Sequence, residues 1–174
     1  MTGNQGIPTL ATPRLTLRAL EAGDLDAFAA MQSDAEVMRH LSTGQTRSRE
    51  ETWDLMARML GQWPLRGYGM FAVVETASGR WIGRAGLLHP YTWPGPELAY
   101  GFDRPFWGLG YATEVSRALL DWAWRDIRPA RLISYVRPAN AGSVGVLRKL
   151  GARFVEESEM LGKPAQLWEH PRPA

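Results

Sequence analysis

Polar and apolar positions along the chain fall into two kinds of pattern. Leu15 and Leu17 stand opposite Thr16 and Arg18, so Arg14–Ala19 is expected to form a strand with one buried face. Asp24 is placed to cap a short helix striped with Leu25, Phe28 and Met31, and a second brief turn starts at Asp34 with Val37 and Met38. Ser48 and Glu51 have capping-box spacing ahead of Trp53, Met56 or Ala57, and Leu60, a helix that Pro64 is expected to stop. Three strands follow, Met70–Glu75, Arg80–Leu88 and Glu97–Phe102, joined by short links that favour an antiparallel meander. A helix from Ala112 to about Arg125 carries Val115, Leu119 and Trp122 on one side, and Leu132–Val136 reads as the next strand. Strand, helix and strand at this spacing make a parallel crossover. Asn140 caps a helix through Val144, Leu147 and Leu150 to Gly151, and Phe154–Ser158 with Pro164–His170 form a last antiparallel pair. The expected fold is α/β in the α+β sense: a mixed, mainly antiparallel sheet flanked by helices. Residues 14–170 form one domain, with residues 1–13 as a loose arm and 171–174 as a tail.

The stretch from Glu97 to Asp126 organises the rest. Its strand has a bulky face, Leu98, Tyr100 and Phe102, and a thin one, Glu97, Ala99 and Gly101, which leaves room for a group close to the backbone. Trp107-Gly108-Leu109-Gly110-Tyr111-Ala112 then opens a helix. A glycine-rich helix start offers unpaired N–H groups and a partial positive charge to a phosphate, and it also makes a tight strand-to-helix connection; this stretch alone supports both readings equally.

Composition narrows the chemistry. The formal net charge is only +2, and no basic block marks a nucleic-acid tract. Nearly all positive charge is arginine, which suits planar contacts with carboxylate or phosphate. The chain has no cysteine, which excludes disulfides and thiolate chemistry and fits a cytoplasmic setting. No apolar run is long enough for a membrane span. His40, His89 and His170 are scattered, so no metal site is expected. Thr113 breaks a dinucleotide fingerprint, and no Lys-Ser/Thr pair follows the glycines as a phosphate loop of the Walker type requires.

Arg104-Pro-Phe-Trp-Gly-Leu-Gly-Tyr-Ala-Thr-Glu114, with Asn140-Ala-Gly-Ser143 and Leu150-Gly151 downstream, resembles the GNAT acyltransferases, most closely those that acetylate N-terminal amines of ribosomal proteins. The resemblance runs from Arg14 to about His170. It implies acetyl-CoA bound in a V-shaped opening between Glu97–Phe102 and Leu132–Val136. Cofactor contacts would come from Ala99, Tyr100 and Gly101 on the strand edge, from the turn Trp107, Gly108, Leu109, Gly110, Tyr111, Ala112 and Thr113, and from Asn140. Trp107 replaces the Gln or Arg usual at the first signature position, so main-chain N–H groups are left to hold the pyrophosphate. A main-chain N–H near Tyr100 or Gly101 would polarise the thioester carbonyl.

By the same resemblance Glu97 is the base, acting through water, and Ser143 donates to the departing sulfur. His89 is the alternative base; a solvated Glu97 and a Ser143 that only completes the helix start are the bland alternatives. The implied activity is acetyl transfer to a primary amine by direct attack in a ternary complex. The acceptor is a protein N-terminus, ribosomal by the same resemblance, or a small amine. An acyl-CoA-binding module without efficient turnover is the competing account. The aromatic content, with eight Trp, and family habit are compatible with a homodimer.

Overall fold

A computed structural model describes residues 6–173. The first five residues of the expected arm and the last residue of the tail lie outside that range. The strands are β1 (Leu10–Ala11), β2 (Leu15–Arg18), β3 (Met70–Glu75), β4 (Trp81–Leu88), β5 (Glu97–Phe102), β6 (Ile133–Val136), β7 (Arg153–Met160) and β8 (Lys163–Glu169). The helices are α1 (Leu25–Ser33), α2 (Ala35–Met38), α3 (Arg49–Arg66), α4 (Tyr111–Trp122) and α5 (Ala141–Lys149). All eight strands join one sheet in the order β1-β2-β3-β4-β5-β6-β8-β7, and β5 with β6 is its parallel pair. Leu10 and Ala11, placed in the arm by sequence, pair with Leu17 and Thr16 as a two-residue edge strand. A strand this short carries too little alternation to be seen in sequence.

Each face of the sheet has its own core. On one side Leu15, Leu17, Phe71, Val73, Ala85, Leu87, Leu98 and Phe102 pack against Val115, Leu119 and Trp122 of α4. On the other, Met70 and Ala72 meet Phe28 of α1 and Met56 and Met59 of α3. Period two in the strands and period 3.6 in the helices generate these layers directly.

The capping box at Ser48 and Glu51 is present, with Glu51 N–H donating to Ser48 Oγ and Ser48 N–H to Glu51 Oε2. The expected stop before Pro64 is not: α3 continues to Arg66 and ends at Gly67, whose φ of 75° places it in the left-handed region and whose N–H bonds the Trp63 carbonyl. Proline so near the end removes one ladder bond, and Trp63, buried and donating its indole N–H to the Met70 carbonyl, keeps the last turn on the sheet. Asp24 also departs from expectation. Its carboxylate does not cap α1; it takes Arg18 in a two-pronged ion pair and accepts the Glu21 N–H. Between β5 and β6, α4 runs on through a π-helical turn (Ala123–Ile127) to Arg128 at φ 54°.

Candidate functional site

The site begins where the sheet splits. Ile133 N–H donates to the Pro96 carbonyl at 3.0 Å, and Glu97 opposite Ile133 is the one register pair between β5 and β6. A regular parallel ladder would next join Tyr135 N–H to the Leu98 carbonyl. Here that rung is replaced at both ends. Tyr135 N–H donates to Glu97 Oε1 at 3.0 Å, and the Leu98 carbonyl accepts the Ser134 hydroxyl at 2.8 Å. With its proton spent on Leu98, Ser134 Oγ accepts His170 Nε2–H at 2.9 Å. Burial lowers the His170 pKa to about 4, so the ring is neutral and its Nδ1 has no partner among the described residues. Because their polar groups are satisfied by side chains, the two strands part without a buried penalty and a gap opens beyond Glu97.

A cavity of about 1050 Å³ occupies this gap and reaches both sides of the sheet. The pairings Arg84 with Gly101, Gly86 with Ala99 and Leu88 with Glu97 put these six residues on the face covered by α1 and α3. Tyr100, with Leu98 and Phe102, lies on the α4 face, near the start of α5. The thin face of β5 is therefore turned away from the glycine turn. Part of its spare room is filled from within: a Cβ on Gly101 would sit 3.0 Å from both Leu41 Cδ1 and Met31 Cε.

Of the residues singled out from sequence, His89, Glu97, Ala99, Tyr100, Asn140 and Ser143 line the cavity. Glu97 is 5 % exposed, and burial raises its pKa to about 8 against the opposing pull of the Tyr135 N–H and Arg84. Asn140 Oδ1 accepts Ser143 N–H at 3.1 Å and so caps α5. The Ser143 hydroxyl is not used in that cap; it faces the Tyr100 hydroxyl, which is buried and kept protonated by burial against the opposing contact with Ser143. Two O–H groups thus converge on the α5 side of the gap. His89, the alternative base, is tied down: its Nδ1 is 2.5 Å from the Tyr68 hydroxyl, its ring also meets the Trp93 carbonyl, and burial lowers its pKa.

The turn at residues 107–113 lies outside the cavity lining. Gly108 and Gly110 have φ of 75° and 82°, which explains both glycines by backbone conformation. A Cβ on Gly108 would meet nothing within 4 Å, so the space over the turn is open. Gly110 caps α4 without a side chain, and the N–H groups of Tyr111, Ala112 and Thr113 have no acceptor among the described residues. Glu114, the acid in this first turn, is occupied by Thr12 and Arg14. Such a start fits a pyrophosphate. Trp107 contributes no donor to it, because its indole N–H is spent on the Phe102 carbonyl at 2.8 Å and its main-chain N–H on Arg104. The Tyr111 hydroxyl donates to Glu75, and Leu109 gives its carbonyl to Arg14.

Two arginines add to the sequence reading. Arg14 stands beside the turn, its guanidinium 4.4 Å from the Tyr111 ring centroid. Arg84 is 7 % exposed, lines the cavity, and its Nε has no partner among the described residues. A charged residue among Ile82, Gly83, Ala85 and Gly86 of a buried strand is the signal that marks Arg84 in the sequence. No cluster of three or more potential metal ligands occurs among the described residues, and no helix there is long and apolar enough to cross a membrane.

Residues 14–153 match the acetyltransferase (GNAT) domain family. The uncharacterised N-acetyltransferase p20 of Bacillus licheniformis is 29 % identical over 144 residues, covering 82 % of this chain and 80 % of that one. The uncharacterised protein YkkB of Bacillus subtilis is 26 % identical over 168 residues, 92 % and 94 % of the two chains. Among solved structures, an acetyltransferase from Agrobacterium tumefaciens superposes with a TM-score of 0.85 at 27 % identity over 98 % of both chains.

Proposed function

The chain belongs to the GNAT acetyltransferase family, and from that membership we propose that it transfers an acetyl group from acetyl-CoA to a primary amine by direct attack in a ternary complex. Acyl transfer from acetyl-CoA is the general chemistry of the family; the residue roles and the form of the acceptor are this reading's own. What carries it is the gap between β5 and β6, with a carboxyl group on one side of the sheet and two hydroxyl groups on the other.

Acetyl-CoA supplies the acyl group as a thioester. The unpaired N–H groups at the start of α4 would hold its pyrophosphate, with Arg14 alongside. From there the route to the gap passes Ser143 and Tyr100, and the amine enters from the α1 and α3 side, where Glu97 lies. Glu97 takes the proton that the attacking nitrogen sheds. Its raised pKa, close to that of an α-amine, suits proton exchange near neutral pH. Ser143 and Tyr100 bring two facing hydroxyl groups to this side of the gap, and one of them would donate to the sulfur as negative charge develops there. A ribosomal N-terminus is one acceptor in keeping with the sequence resemblance, and a small amine is the other.

The test is a calorimetric titration with acetyl-CoA followed by assay of CoA release with a panel of peptides and amines. Binding with amine-dependent release that Glu97→Gln lowers by about a hundredfold or more is the expected result. A well-folded protein with no affinity for acetyl-CoA would overturn the reading.

A further inference from the structure

The face of the sheet that would receive the amine holds an unspent cation. Arg84 is more than nine-tenths buried, yet it makes no ion pair and no side-chain hydrogen bond among the described residues. An arginine in that position is strongly disfavoured unless something of opposite charge meets it. The side chain is on the cavity wall, so the missing partner can come from a ligand.

Among the described residues the surroundings offer Arg84 only the distant pull of Glu97, with which it makes no ion pair. Arg47, Arg58, Arg66, Arg84 and Arg137 line the cavity, and Glu97 is its one carboxyl group. None of the five arginines pairs with a carboxylate among the described residues. Arg47 is met by the uncharged oxygens of Gln32 and Ser42, and Arg137 by the carbonyls of Ser42, Met160, Lys163 and Pro164. Burial lowers the Arg84 pKa only to about 10, so it remains charged at neutral pH while Glu97 is largely protonated there. Such a cavity repels a polycation and attracts an anion.

Register sets the spacing. Arg84 lies opposite Gly101 and Glu97 opposite Leu88, and between them on this face stand only Gly86 and Ala99. Four residues of strand separate the two backbones by roughly 13 Å, and the two side chains reach inward from either end. Between them lies a floor without bulk. It suits a short molecule with an amine at the Glu97 end and an anion at the Arg84 end.

Resting on the acetyl-transfer reading above, we infer that the acceptor is a primary amine bearing a carboxylate a few bonds away, which Arg84 recognises. That carboxylate is either the main-chain carboxylate of a free amino acid or the side chain of an acidic residue next to a peptide N-terminus. Polyamines and aminoglycosides, which bring further positive charge, are excluded as preferred acceptors. Arg84 is on the face away from Ser143 and Tyr100, so it acts on the acceptor and not on the thioester.

Matched acceptors test this. CoA release is measured for amino acids against their carboxamides, for dipeptides with Glu or Asp second against Gln or Asn, and for spermidine. The carboxylate member should be favoured by about tenfold to a hundredfold in kcat/KM, the range for a hydrogen bond to a charged group. Arg84→Gln should abolish that preference and leave acetyl-CoA affinity unchanged; Arg84→Lys should keep part of it. Preference confined to amino acids, or to acidic dipeptides, identifies the source of the carboxylate. Equal use of the carboxamides or of spermidine by the wild type, or an unaltered preference in Arg84→Gln, overturns the inference. If Arg84→Gln does not fold, the wild-type preference and Arg84→Lys decide. If no acceptor turns over, calorimetry of the N-acetylated amino acids and their amides with the CoA complex decides: carboxylate-selective binding supports the inference and its absence refutes it. Loss of acetyl-CoA binding in the wild type would be the separate failure of the acetyl-transfer reading.

Discussion

The Glu97 carboxylate accepts the Tyr135 backbone N–H at 3.0 Å, across the point where β5 and β6 stop pairing. One side chain thus caps the last amide before the gap and presents its carboxyl group to the cavity. Structure and proposed chemistry meet in the same residue, which fixes what its replacement should do. Glu97→Gln retains an oxygen for the Tyr135 amide and loses the base. Its kcat should fall by about 10²- to 10⁴-fold, the usual contribution of a general base. Glu97 accepts a proton only when ionised, above its pKa of about 8. Wild-type activity should therefore rise with pH through about 8, and the Gln variant should keep only the limb set by the acceptor amine's own deprotonation in an assay of CoA release from pH 6 to 9.5.

Stability should respond to the same group in the opposite direction. A carboxyl whose folded pKa is raised from 4.5 to about 8 favours the folded state when protonated, and that advantage disappears as pH rises through 8. His170, lowered from 6.5 to about 4, favours the folded state above 6.5 and loses its contribution as pH falls toward 4. The two slopes oppose each other between about 4.5 and 6.5, leaving Glu97 to act alone from 6.5 to 8. Thermal melts should show the wild type losing stability across that upper window and Glu97→Gln holding level.

Ser134→Ala leaves the Leu98 carbonyl and His170 Nε2 without their partner. Each buried orphan costs about 1–3 kcal/mol, so urea unfolding should report a loss of at least about 1 kcal/mol. An unchanged midpoint would show that water or a strand shift closes the gap.

Ser143→Ala and Tyr100→Phe each remove one of the two hydroxyl groups on the α5 side of the gap. Either should lower kcat while acetyl-CoA affinity is maintained, and the pair together should lower it further. A double variant with wild-type kcat would remove both from the reaction.

Gly110→Ala places a side chain at φ 82°, which costs about 1–2 kcal/mol, and brings a Cβ to 3.5 Å from Arg14 Nη2. It should lower the melting temperature and weaken acetyl-CoA binding together. Normal affinity would show that the start of α4 is not where the pyrophosphate binds.

Strand and helix periodicity is local, and much of the fold was legible from it. Met70–Glu75 and Glu97–Phe102 coincide with β3 and β5, the Ser48–Glu51 box is present, and the crossover from Glu97 to Val136 makes the parallel pair. The misplaced stop at Pro64 shows where local reading ends, since Trp63 holds that turn through contacts with Phe71 and Trp122 on other elements. The bulky and thin faces of β5 were likewise correctly divided, but the sequence could not say which face would meet the glycine turn. Strand order and the side taken by α4 settle that, and they put the thin face against Leu41, Met31 and Arg84.

By itself the sequence determined the elements, the glycine turn with its obligatory backbone conformation, and the residue types available for chemistry, because propensity, capping and φ preferences act within a few residues. Only the tertiary structure decided that Glu97 is buried with a raised pKa, that Ser134 and Glu97 replace a ladder rung, and that Arg84 faces the same cavity with no ion pair among the described residues. Burial, missing partners and proton affinity are properties of neighbours brought together from distant parts of the chain, and no stretch of sequence carries them alone.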